Sequence, residues 1–587
     1  MTSQAFLGVD KSLTGRRWVA RDFDERITLA LSQRYEMPEI IARSLNARGV
    51  GLDAADSFLD PKLRDLLPNP SDLKDMDKAA ARFVAAVRQN ESILIFGDYD
   101  VDGATSSALL LTFAKHLGAK AQVYIPDRMT EGYGPNIGAM RLFKSEGIKL
   151  VVCVDCGTTA HAALQAAHEV GLDVIVLDHH DSEPELPKAH AIVNPNRLDE
   201  TEKYDYLAAV GVTYLFVVAV NRALREEGFY NGAPVEPDLM QLLDLVALGT
   251  VCDVVKLTGL NRAFVAQGLK IMSQRRNKGI AALSLVSGIR TYDTYAAGYI
   301  LGPRINAGGR IGKSDLGVRL LSTEDASEAM AIAQRMNALN DERRDIEARI
   351  LAEAEYMTSS ENLPMAYVYS DKWHAGVIGI VASRLKDKFR HPAIVIAVEG
   401  DVGKGSGRSI GNIDLGAAII AARQAGLLIN GGGHKMAAGF TVARDKIDAL
   451  RDFLAARIGK QLESEPLIPT LTLDGLVSGA ALQPDFIRQI EKLAPFGTGN
   501  PEPRFALPDC KIIRSDVVGE RHISVIFVQG GTRVRGIAFR AMDNELGAPL
   551  LKLGSRLHLA GHLRLEEWQG EERLSLHITD AATTGSP

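Results

Sequence analysis

The chain has few cysteines and no long apolar run, and both absences restrict what it can be. Four cysteines among 587 residues are too few for a disulfide framework, which excludes the small disulfide-rich scaffolds of secreted proteins. The longest uninterrupted apolar stretches, such as residues 214–220, fall far short of the roughly 20 residues that a membrane-spanning helix needs. We therefore expect a protein that has no membrane span and does not depend on disulfides.

The sequence also lacks a strong charge of either sign, since its net charge is −6. This value does not indicate a nucleic-acid-binding protein, but it does not exclude one, because basic residues can gather locally. Nothing like a signal peptide is visible at Met1-Thr2-Ser3-Gln4, so we expect a cytoplasmic protein. The hydrophobic fraction of 46% is ordinary for a globular protein, and the length predicts about three or four domains.

Cys153 and Cys156 form a single CxxC pair. A zinc or redox site of this type is not favoured, because no second pair follows it. Cys153 falls within a predicted buried strand and Cys156 begins the next turn, so we expect neither to carry chemistry.

Helix and strand patterns alternate from residue 78 to residue 177. This alternation predicts an α/β domain with a parallel sheet, in which sites form beyond the carboxyl ends of the strands. A second α/β unit follows a long polar helix, and short β-patterned runs beyond residue 471 predict a small barrel. The predicted organisation is a mainly helical segment at 1–75, a first α/β domain at 76–270, a helical connector at 271–360, a second α/β domain at 361–460 and a C-terminal β-barrel at 466–580.

The long polar helix is predicted at residues 324–356, with Ser322 or Thr323 as its N-cap. It carries an apolar stripe that we interpret as packing surface, and a helix of this length would join two domains rigidly. The stripe consists of Met336, Leu339, Ile346 and Ile350.

Acidic residues follow three predicted strands of the first domain. Residues 97–103 hold three aspartates directly after one strand, Asp155 follows the next, and an Asp-His-His run at 178–180 follows the third. Carboxylates packed this tightly repel one another unless cations neutralise them. Aspartates on ordinary surface loops would explain one such cluster but hardly three, so the sequence predicts a metal site at one edge of the sheet.

The candidate metal ligands are Asp100 and Asp102, which share a turn, and Asp155, His179 and Asp253, which come from separate segments. Carboxylate oxygens with an imidazole suit Mg²⁺ or Mn²⁺ better than a structural zinc ion. So many carboxylates favour two ions, which together activate a water molecule for phosphodiester hydrolysis.

Two glycine-rich segments, at 400–411 and 431–439, are predicted as loops. The first does not have Walker A spacing, but Lys404 and Arg408 among bare backbone N–H groups could hold a phosphate. A plain loop explains the same residues, and both interpretations remain open. His434, in the second segment, would on its residue type alone more often be structural.

The segment at 303–310 is predicted to be rich in turns and contains Arg304, Asn306 and Arg310. Arginines in such a segment often pin a loop to a carboxylate. Beside a metal site they are also candidate ligands for a phosphate backbone.

Taken together, the ordered motifs resemble those of the DHH phosphoesterase superfamily with its DHHA1 partner domain. The DHH-like motifs are residues 97–103, 154–159, 178–180 and 249–253, and the DHHA1-like motif is 432–439. Residues 373–384 and 495–503 narrow the resemblance to the single-stranded-DNA-specific exonucleases of that superfamily. The likeness covers about residues 40–580 and includes a C-terminal OB-fold.

This resemblance implies a Mn²⁺- or Mg²⁺-dependent exonuclease that degrades single-stranded DNA from the 5′ end. The five metal ligands above would keep that role, and a terminal 5′-phosphate would be held by Arg304, Ser406 and Arg408. The catalytic or supporting residues would be Asp98, Asp178, His180 and His434. The wider substrate-binding set would add Asn306, Arg310, Ser383, Arg384 and Lys404.

Two other functions are compatible with these residues. One is a DHH/DHHA1 phosphodiesterase of short oligonucleotides or cyclic dinucleotides, which usually lacks the added barrel. The other is a non-catalytic DNA-binding scaffold of the same fold, which the complete acid set argues against. For the exonuclease we expect a monomer that meets a single-strand-binding protein and a helicase.

Overall fold

The computed structural model describes residues 4–127, 131–201, 203–359, 363–411, 413–464, 469–568 and 571–584. Two α/β units, a helical connector between them and a C-terminal β-barrel follow one another along the chain. The expected α/β class, with its long joining helix and barrel, is confirmed. Among the described helices, none is long and apolar enough to cross a membrane.

The N-terminal segment packs against the C-terminal barrel. Its elements are β1 (Arg17–Ala20), α1 (Glu25–Arg34), α2 (Glu39–Asn46), α3 (Ala55–Leu59) and α4 (Leu63–Leu66). Leu31 and Ile41 lie in one hydrophobic core with Phe505 and Phe527 of the barrel. The sequence predicted mainly helix here and missed β1, whose partner strand lies at the far end of the chain.

The first α/β unit contains a five-stranded parallel sheet in the order β3-β2-β4-β5-β6. The strands are β2 (Ser92–Gly97), β3 (Lys120–Tyr124), β4 (Leu150–Val154), β5 (Asp173–Leu177) and β6 (Ala191–Val193). The helices are α5 (Met76–Arg88), α6 (Val101–His116), α7 (Ile137–Ser145), α8 (His161–Glu169), α9 (Ala209–Glu226), α10 (Leu243–Cys252) and α11 (Gly259–Ser273).

The register of this sheet brings three strand ends together. Gly97 is aligned with Val154, and Val154 with Leu177, so the residues that follow β2, β4 and β5 leave the sheet at one edge. Strands β4 and β5 are almost completely buried, as expected for a parallel sheet covered on both faces. The sequence pattern predicts these strands at 92–96, 121–125, 150–154 and 174–177, within one residue of the observed ends of β2 to β5, but it does not predict the three-residue β6.

The connector is helical throughout much of its length. It contains α12 (Lys278–Ser287), a π-helical turn (Ala296–Leu301), α13 (Gly302–Ile311), α14 (Leu316–Ser322) and α15 (Ala326–Ser359). The segment at 303–310 is therefore helix α13 and not a run of turns.

The long helix α15 is confirmed, but its N-cap is not Ser322 or Thr323. Asp325 takes that role, because its carboxylate accepts hydrogen bonds from the N–H groups of Ser327 (2.7 Å) and Glu328 (3.2 Å). Of the predicted stripe, Met336, Leu339 and Ile350 are buried and Ile346 packs at the margin of the core.

The second α/β unit has a five-stranded sheet in the order β10-β11-β9-β8-β7, in which only β7 and β8 are parallel to each other. Its elements are β7 (Ala366–Ser370), α16 (Ile378–Phe389), β8 (Ala393–Glu399), β9 (Val402–Arg408), α17 (Leu415–Gln424), β10 (Asn430–His434), β11 (Ala437–Ala443) and α18 (Ile447–Ser464). Most of the two glycine-rich segments predicted as loops is thus strand.

The C-terminal barrel is closed by five strands, because β14-β15-β16-β18-β17 form a sheet in which β17 also pairs with β14. The elements of this part are β12 (Thr470–Leu473), β13 (Gly475–Leu476), α19 (Pro484–Glu491), β14 (Phe505–Val518), β15 (His522–Gln529), β16 (Thr532–Ala538), α20 (Gly547–Leu551), β17 (Arg556–Trp568) and β18 (Glu571–Thr583). Strand β12 pairs in parallel with β1.

Candidate metal centre

The three acidic clusters meet at the carboxyl edge of the first sheet, around His179. Its Nε2 lies 3.4 Å from Asp155 Oδ1, 3.6 Å from Asp253 Oδ2 and 3.9 Å from Asp102 Oδ2. Its other ring nitrogen, Nδ1, lies 3.1 Å from the carbonyl oxygen of Leu207 and donates to it. This bond fixes the tautomer and leaves the Nε2 lone pair directed at the three carboxylates.

Three groups of side chains have ligand atoms within 4.8 Å of one another. They are Asp155–His179–His180, Asp102–His179–Asp253 and Asp98–Asp100–Asp155. Because Asp155 and His179 each belong to two groups, the groups form one continuous cluster. All five side chains predicted to bind metal lie in it, together with Asp98 and His180.

Asp102 is held from behind by the first turn of α9. The carboxylate is buried and accepts hydrogen bonds from the N–H groups of Ala209 (2.7 Å) and Val210 (2.9 Å), where the helix dipole favours negative charge. Burial and the charge of Asp100 nevertheless raise the pKa of Asp102 to about 7. Gly249 on α10 permits this packing, since a Cβ there would lie 3.0 Å from Asp102 Oδ1.

Asp253 follows the last residue of α10. Burial, together with the charges of Asp102 and Asp100, raises the pKa of Asp253 to about 9. The pKa of Asp155 is likewise raised, by burial and by the charge of Asp100. Without cations, the cluster therefore binds protons that an isolated carboxylate would release.

Asp178 anchors the Asp-His-His run without belonging to any of the three groups. Its Oδ2 accepts from Thr158 N–H (3.0 Å), and its Oδ1 from His179 N–H (2.8 Å) and His180 Nδ1 (2.7 Å). Burial opposes the ionisation of Asp178, but these bonds and the His180 charge outweigh it and lower its pKa. Asp178 is therefore placed to position the histidines.

The sequence analysis missed two residues at this edge, Tyr133 and Asn194. The Tyr133 hydroxyl donates to the carbonyl oxygen of Asp155 (3.0 Å) and lies 3.3 Å from His180 Nδ1. Asn194 is buried and its Nδ2 donates to Thr158 Oγ1 and to the carbonyl oxygen of His180, both at 2.8 Å. Gly132 and Gly134, both with positive φ, flank Tyr133. This Gly-Tyr-Gly run was the feature of the sequence that could have drawn attention to Tyr133.

The donor set fits divalent cations. Asp155 Oδ1 and Asp253 Oδ2 are buried and accept no hydrogen bond from the described part of the chain. Such oxygens are rare in folded proteins unless an ion or water satisfies them. Carboxylates with one or two imidazoles are suitable ligands for Mn²⁺ or Mg²⁺.

The second α/β unit presents Lys404, Ser406 and Arg408 on one face of β9, because side chains alternate along a strand. Arg408 Nη1 donates to Ser406 Oγ at 3.2 Å. A Cβ placed on Gly379, in the first turn of α16, would lie 3.1 Å from Ser406 Oγ and 3.3 Å from Arg408 Nη2. A hydroxyl, a guanidinium and a helix N-terminus thus meet, which suits an anion.

Helix α13 lies between the two α/β units. Its Gly309 packs on Tyr99 of the acidic segment, and Arg310 donates to the carbonyl oxygen of Gly376 (3.0 Å) in the second unit. Arg304 donates to Asn337 Oδ1 (2.9 Å) and to the carbonyl oxygen of Ile300 (2.8 Å). Asn306 lies half-buried on the same helix.

Ser383 and Arg384 lie on α16. The Ser383 hydroxyl donates to the carbonyl oxygen of Gly379 (3.3 Å), and the largely exposed Arg384 is 3.3 Å from Glu347 of α15. The structure therefore places Arg384 toward the long helix, where it lines a cleft beside the barrel.

His434 ends strand β10 and faces the first unit. Its Nδ1 lies 3.5 Å from Asp181 Oδ2, next to the Asp-His-His run, and the His434 side chain is 77% exposed. The two α/β units thus approach each other at the metal cluster, with a polar face on each side.

Comparison with known proteins gives matches along most of the chain. Family models described as the DHH family N-terminal domain, the DHHA1 domain and the RecJ OB domain match residues 92–250, 362–460 and 473–580. The single-stranded-DNA-specific exonuclease RecJ of Dickeya dadantii is 36% identical over 92% of this chain and 96% of its own length. The RecJ of Escherichia coli is 34% identical over 95% and 97%.

Solved structures agree with these matches. The crystal structure of RecJ in complex with Mn²⁺ from Thermus thermophilus has a TM-score of 0.83 and 30% identity, and the match covers 97% of this chain and 79% of that one. The Mg²⁺ complex from the same organism has a TM-score of 0.77 and 27% identity, with coverages of 97% and 78%. The chain therefore belongs to the RecJ family of single-stranded-DNA-specific exonucleases.

Proposed function

We propose that this chain is an exonuclease that uses Mn²⁺ or Mg²⁺ to hydrolyse single-stranded DNA from its 5′ end and releases mononucleotides. The observation that carries the proposal is the continuous, partly buried cluster in which three ligand groups are linked through Asp155 and His179. Relatives and structural neighbours named as RecJ, two of them bound to Mn²⁺ and Mg²⁺, support it.

Asp100, Asp102, Asp155, His179 and Asp253 would hold two divalent ions, with Asp98 and His180 beside them. Ions bound there supply an activated water molecule and stabilise the oxygen that leaves the phosphorus atom. The chain supplies the fixed geometry: His179 is oriented by Leu207, Asp102 by the first turn of α9. Asp178 holds His180 in one orientation, so we assign it a positioning role.

The 5′ polarity follows from an anion site beyond the metal cluster. We assign the terminal phosphate to Ser406, Arg408 and the N-terminus of α16, with Lys404 on the same strand face and Arg304 contributing from α13. We place the scissile bond near His434, whose Nδ1 lies 3.5 Å from Asp181 Oδ2. A terminus bound in this way places the first phosphodiester, and no internal one, at the metal cluster.

The barrel extends the surface that a strand would meet. A cleft of about 630 Å³ separates it from α15 and α16. Five arginines and three carboxylates line this cleft: Arg343, Arg344, Arg384, Arg521 and Arg540, with Asp341, Asp345 and Glu347. Phe539 on the barrel is exposed, with its ring 5.4 Å from that of His522 and 5.3 Å from that of His577. Arginines and exposed rings are the side chains with which proteins bind single strands.

We extend the proposal to the cell on the strength of the family alone. The enzyme would act as a monomer in the cytoplasm, in DNA repair and recombination. A helicase would supply its strands, and a single-strand-binding protein would meet it on them.

The decisive experiment is digestion of a long, 5′-labelled single strand by the purified chain with Mn²⁺. We expect mononucleotides as the labelled product, little action on a blunt duplex, and no cleavage in EDTA. A strand that stays intact while dinucleotides are hydrolysed would contradict the proposal and identify a short-oligonucleotide phosphodiesterase instead.

Variants locate the activity. Asp155→Ala and His179→Ala should reduce cleavage by at least about a hundredfold, since even groups that merely orient metal ligands contribute 10- to 100-fold, while single-strand binding largely persists. Asp173→Ala is the matched control, because Asp173 lies at the opposite end of β5 and pairs with Arg82. Full activity in either site variant would overturn the assignment.

A further inference from the structure

Tyr295 and Tyr299 form an exposed stacked pair on the connector. Their ring centroids are 5.3 Å apart, the ring planes differ by 23°, and the side chains are 62% and 73% exposed. Neither hydroxyl has a hydrogen-bond partner within the described ranges of the chain. Two large rings turned toward solvent, side by side, bury little surface in the folded chain itself, so packing does not explain them.

A π-helical turn produces the stack. The turn spans Ala296–Leu301 and directly precedes α13. Its i→i+5 hydrogen bonds wind the backbone through less angle per residue than an α-helix, so residues four apart lie more nearly in line. Such turns are uncommon and occur frequently at functional sites.

The π-helical turn packs directly on the C-terminal end of α10, the helix that precedes the candidate metal ligand Asp253. The Cys252 thiol donates to the carbonyl oxygen of Ala297 (3.5 Å), and a Cβ on Gly298 would lie 3.3 Å from Val251. The next residue after Cys252 is the candidate ligand Asp253. The paired rings are therefore carried by a segment fixed to the edge of the candidate metal centre.

The paired tyrosines belong to the segment 290–299, and the N-terminal end of this segment lies at a cationic pocket of about 490 Å³. Its charged lining residues are Lys270, Arg275 and Arg290, and its lining contains no carboxylate. Arg275 donates to the Tyr292 hydroxyl (3.0 Å) and to the carbonyl oxygen of Ile289 (3.2 Å), which ties the segment to the pocket wall. From Arg290 to Tyr299 the chain thus connects a pocket suited to phosphates with the metal centre.

We propose that Tyr295 and Tyr299 form a stacking platform for bases of the single strand, while the Lys270–Arg275–Arg290 pocket holds its phosphates at one end of the same segment. This inference rests on the proposed exonuclease function and adds positioning residues to it. A single strand is the occupant that combines flat apolar faces with regularly spaced negative charge, and the segment offers rings and cations in that combination. Every base has a face that can stack, so the platform requires no sequence preference.

The test compares four proteins on a 5′-phosphorylated single strand of about twenty nucleotides: wild type, Tyr295→Ala/Tyr299→Ala, Tyr295→Phe/Tyr299→Phe, and Tyr356→Ala. Tyr356 is the matched control, because it is 81% exposed on α15 and belongs to no ring pair in the described residues. Base–aromatic stacking is worth about 1–3 kcal/mol per base, so the double alanine variant should bind the strand about 5- to 150-fold more weakly. The phenylalanine variant, which keeps both rings, and the control should bind like wild type.

Kinetic constants and binding to abasic strands distinguish base stacking from a merely structural role of the two tyrosines. The double alanine variant should have a raised KM with kcat little changed. A single abasic site, moved along the strand, should weaken binding by the wild type at defined positions. At those positions it should not change the affinity of the double alanine variant. Equal strand binding by wild type and the double alanine variant would overturn the platform, and so would an abasic profile that both proteins share.

Binding measured in EDTA separates this inference from the proposed function. A wild-type chain that binds the strand through the rings but cuts nothing with Mn²⁺ would refute the nuclease and retain the platform. A chain that cuts the strand normally without the rings, at unchanged KM, would refute the platform and retain the nuclease.

Discussion

Asp155 shows how a single residue is fixed for its task. Its φ of 60° lies in the left-handed region that residues with a Cβ adopt rarely. The backbone is held on both sides, since its N–H donates to Leu177 (3.0 Å) and its carbonyl oxygen accepts from Tyr133 (3.0 Å). Strain of this kind persists only where the surroundings impose it. The backbone that carries the carboxylate is thus fixed before any cation binds.

Asn194 should control metal affinity without binding metal itself. Its side-chain amide donates to Thr158 Oγ1 and to the carbonyl oxygen of His180. The backbone N–H of Thr158 donates in turn to Asp178. We expect Asn194→Ala to weaken Mn²⁺ binding about 10- to 100-fold, as the loss of orienting partners typically does. Isothermal titration calorimetry of the metal-free protein measures this directly.

Asn277→Ala is the control for that prediction. Asn277 also makes partly buried side-chain bonds, as N-cap of α12 and as donor to the carbonyl oxygen of Leu321, but it lies in the connector. Its loss should cost about 1 kcal/mol of stability and leave Mn²⁺ binding unchanged. Equal Mn²⁺ affinities in the two variants would show that Asn194 does not orient the ligands.

Residues of the cluster differ in how far the sequence reveals them. Asp155 and His179 are predictable, because each follows an apolar run that forms a parallel strand, and such strand ends converge. Asn194 follows β6, whose three residues are too short for a periodic pattern. Tyr133 acts through its hydroxyl on a backbone atom, and its flanking glycines indicate a turn but do not specify that contact.

At the scale of elements, β9 shows that a glycine-rich segment can be a strand and not a loop. Glycines at alternate positions face the core, where a Cβ on Gly405 would overlap the Phe440 ring and one on Gly407 would lie 2.6 Å from Leu415. The intervening positions carry Lys404, Ser406 and Arg408. The alternation is therefore a strand pattern, with glycine in place of the usual apolar residue because larger neighbours fill the space.

This pattern predicts opposite outcomes for two glycine substitutions. Gly405→Ala should lower the free energy of unfolding by about 1–3 kcal/mol, the usual cost of overpacking. Gly439→Ala should leave stability nearly unchanged, since a Cβ there meets nothing within 4 Å. Urea unfolding of the two variants checks both. Equal destabilisation would mean that the two positions do not differ in packing as the strand register implies.

Elements also differ in how far local sequence determines them. The local sequence predicts strands β2 to β5, because each strand is an apolar run. Helical patterns and turn residues separate these runs from one another. Helix α13 was predicted as turns, since its Gly302, Pro303 and paired glycines usually break helices. Gly309 is needed there instead for close approach to Tyr99. Strand β1 depends on β12, so no local signal could specify it.

At the scale of the whole molecule, Arg262 joins three parts of the chain. The guanidinium is almost completely buried and donates to carbonyl oxygens of Phe58, Leu493, Ala494 and Pro495. Burial lowers its pKa to about 9. The first α/β unit is thereby fastened both to the N-terminal segment and to the entry of the barrel.

Replacing this arginine should loosen that junction. In Arg262→Leu the carbonyl oxygens of Phe58 and Ala494 lose this donor. Those of Leu493 and Pro495 still accept from Asn500 Nδ2 at 2.8 Å. Each buried acceptor left unsatisfied costs about 1–3 kcal/mol. We expect faster hydrogen exchange at residues 493–500 and weaker single-strand binding, with Mn²⁺ binding preserved. Arg225→Leu, which removes an exposed pair with Glu236, is the control. Unchanged exchange at 493–500 would contradict the prediction.

The metal-free molecule should become less stable as pH rises, and divalent cations should reverse the trend. Burial and the charges of Asp102 and Asp100 raise the pKa of Asp253 to about 9. Burial alone would lower the pKa of His180, but the hydrogen bond and charge of Asp178 raise it to about 9. Both groups therefore bind protons more strongly in the folded chain than in the unfolded one, where their pKa values are about 3.9 and 6.5.

The sign follows from linkage, because stability falls with pH wherever the folded state holds more protons. The loss from Asp253 runs from about pH 4 to 9 and that from His180 from about 6.5 to 9. In EDTA, the free energy of unfolding in urea should be lower at pH 8.5 than at pH 6. Mg²⁺ needs the deprotonated ligands, so it should stabilise the protein more at pH 8.5, and Asp253→Asn should reduce both effects. An equal Mg²⁺ shift at the two pH values would mean that these carboxylates ionise independently of the ion.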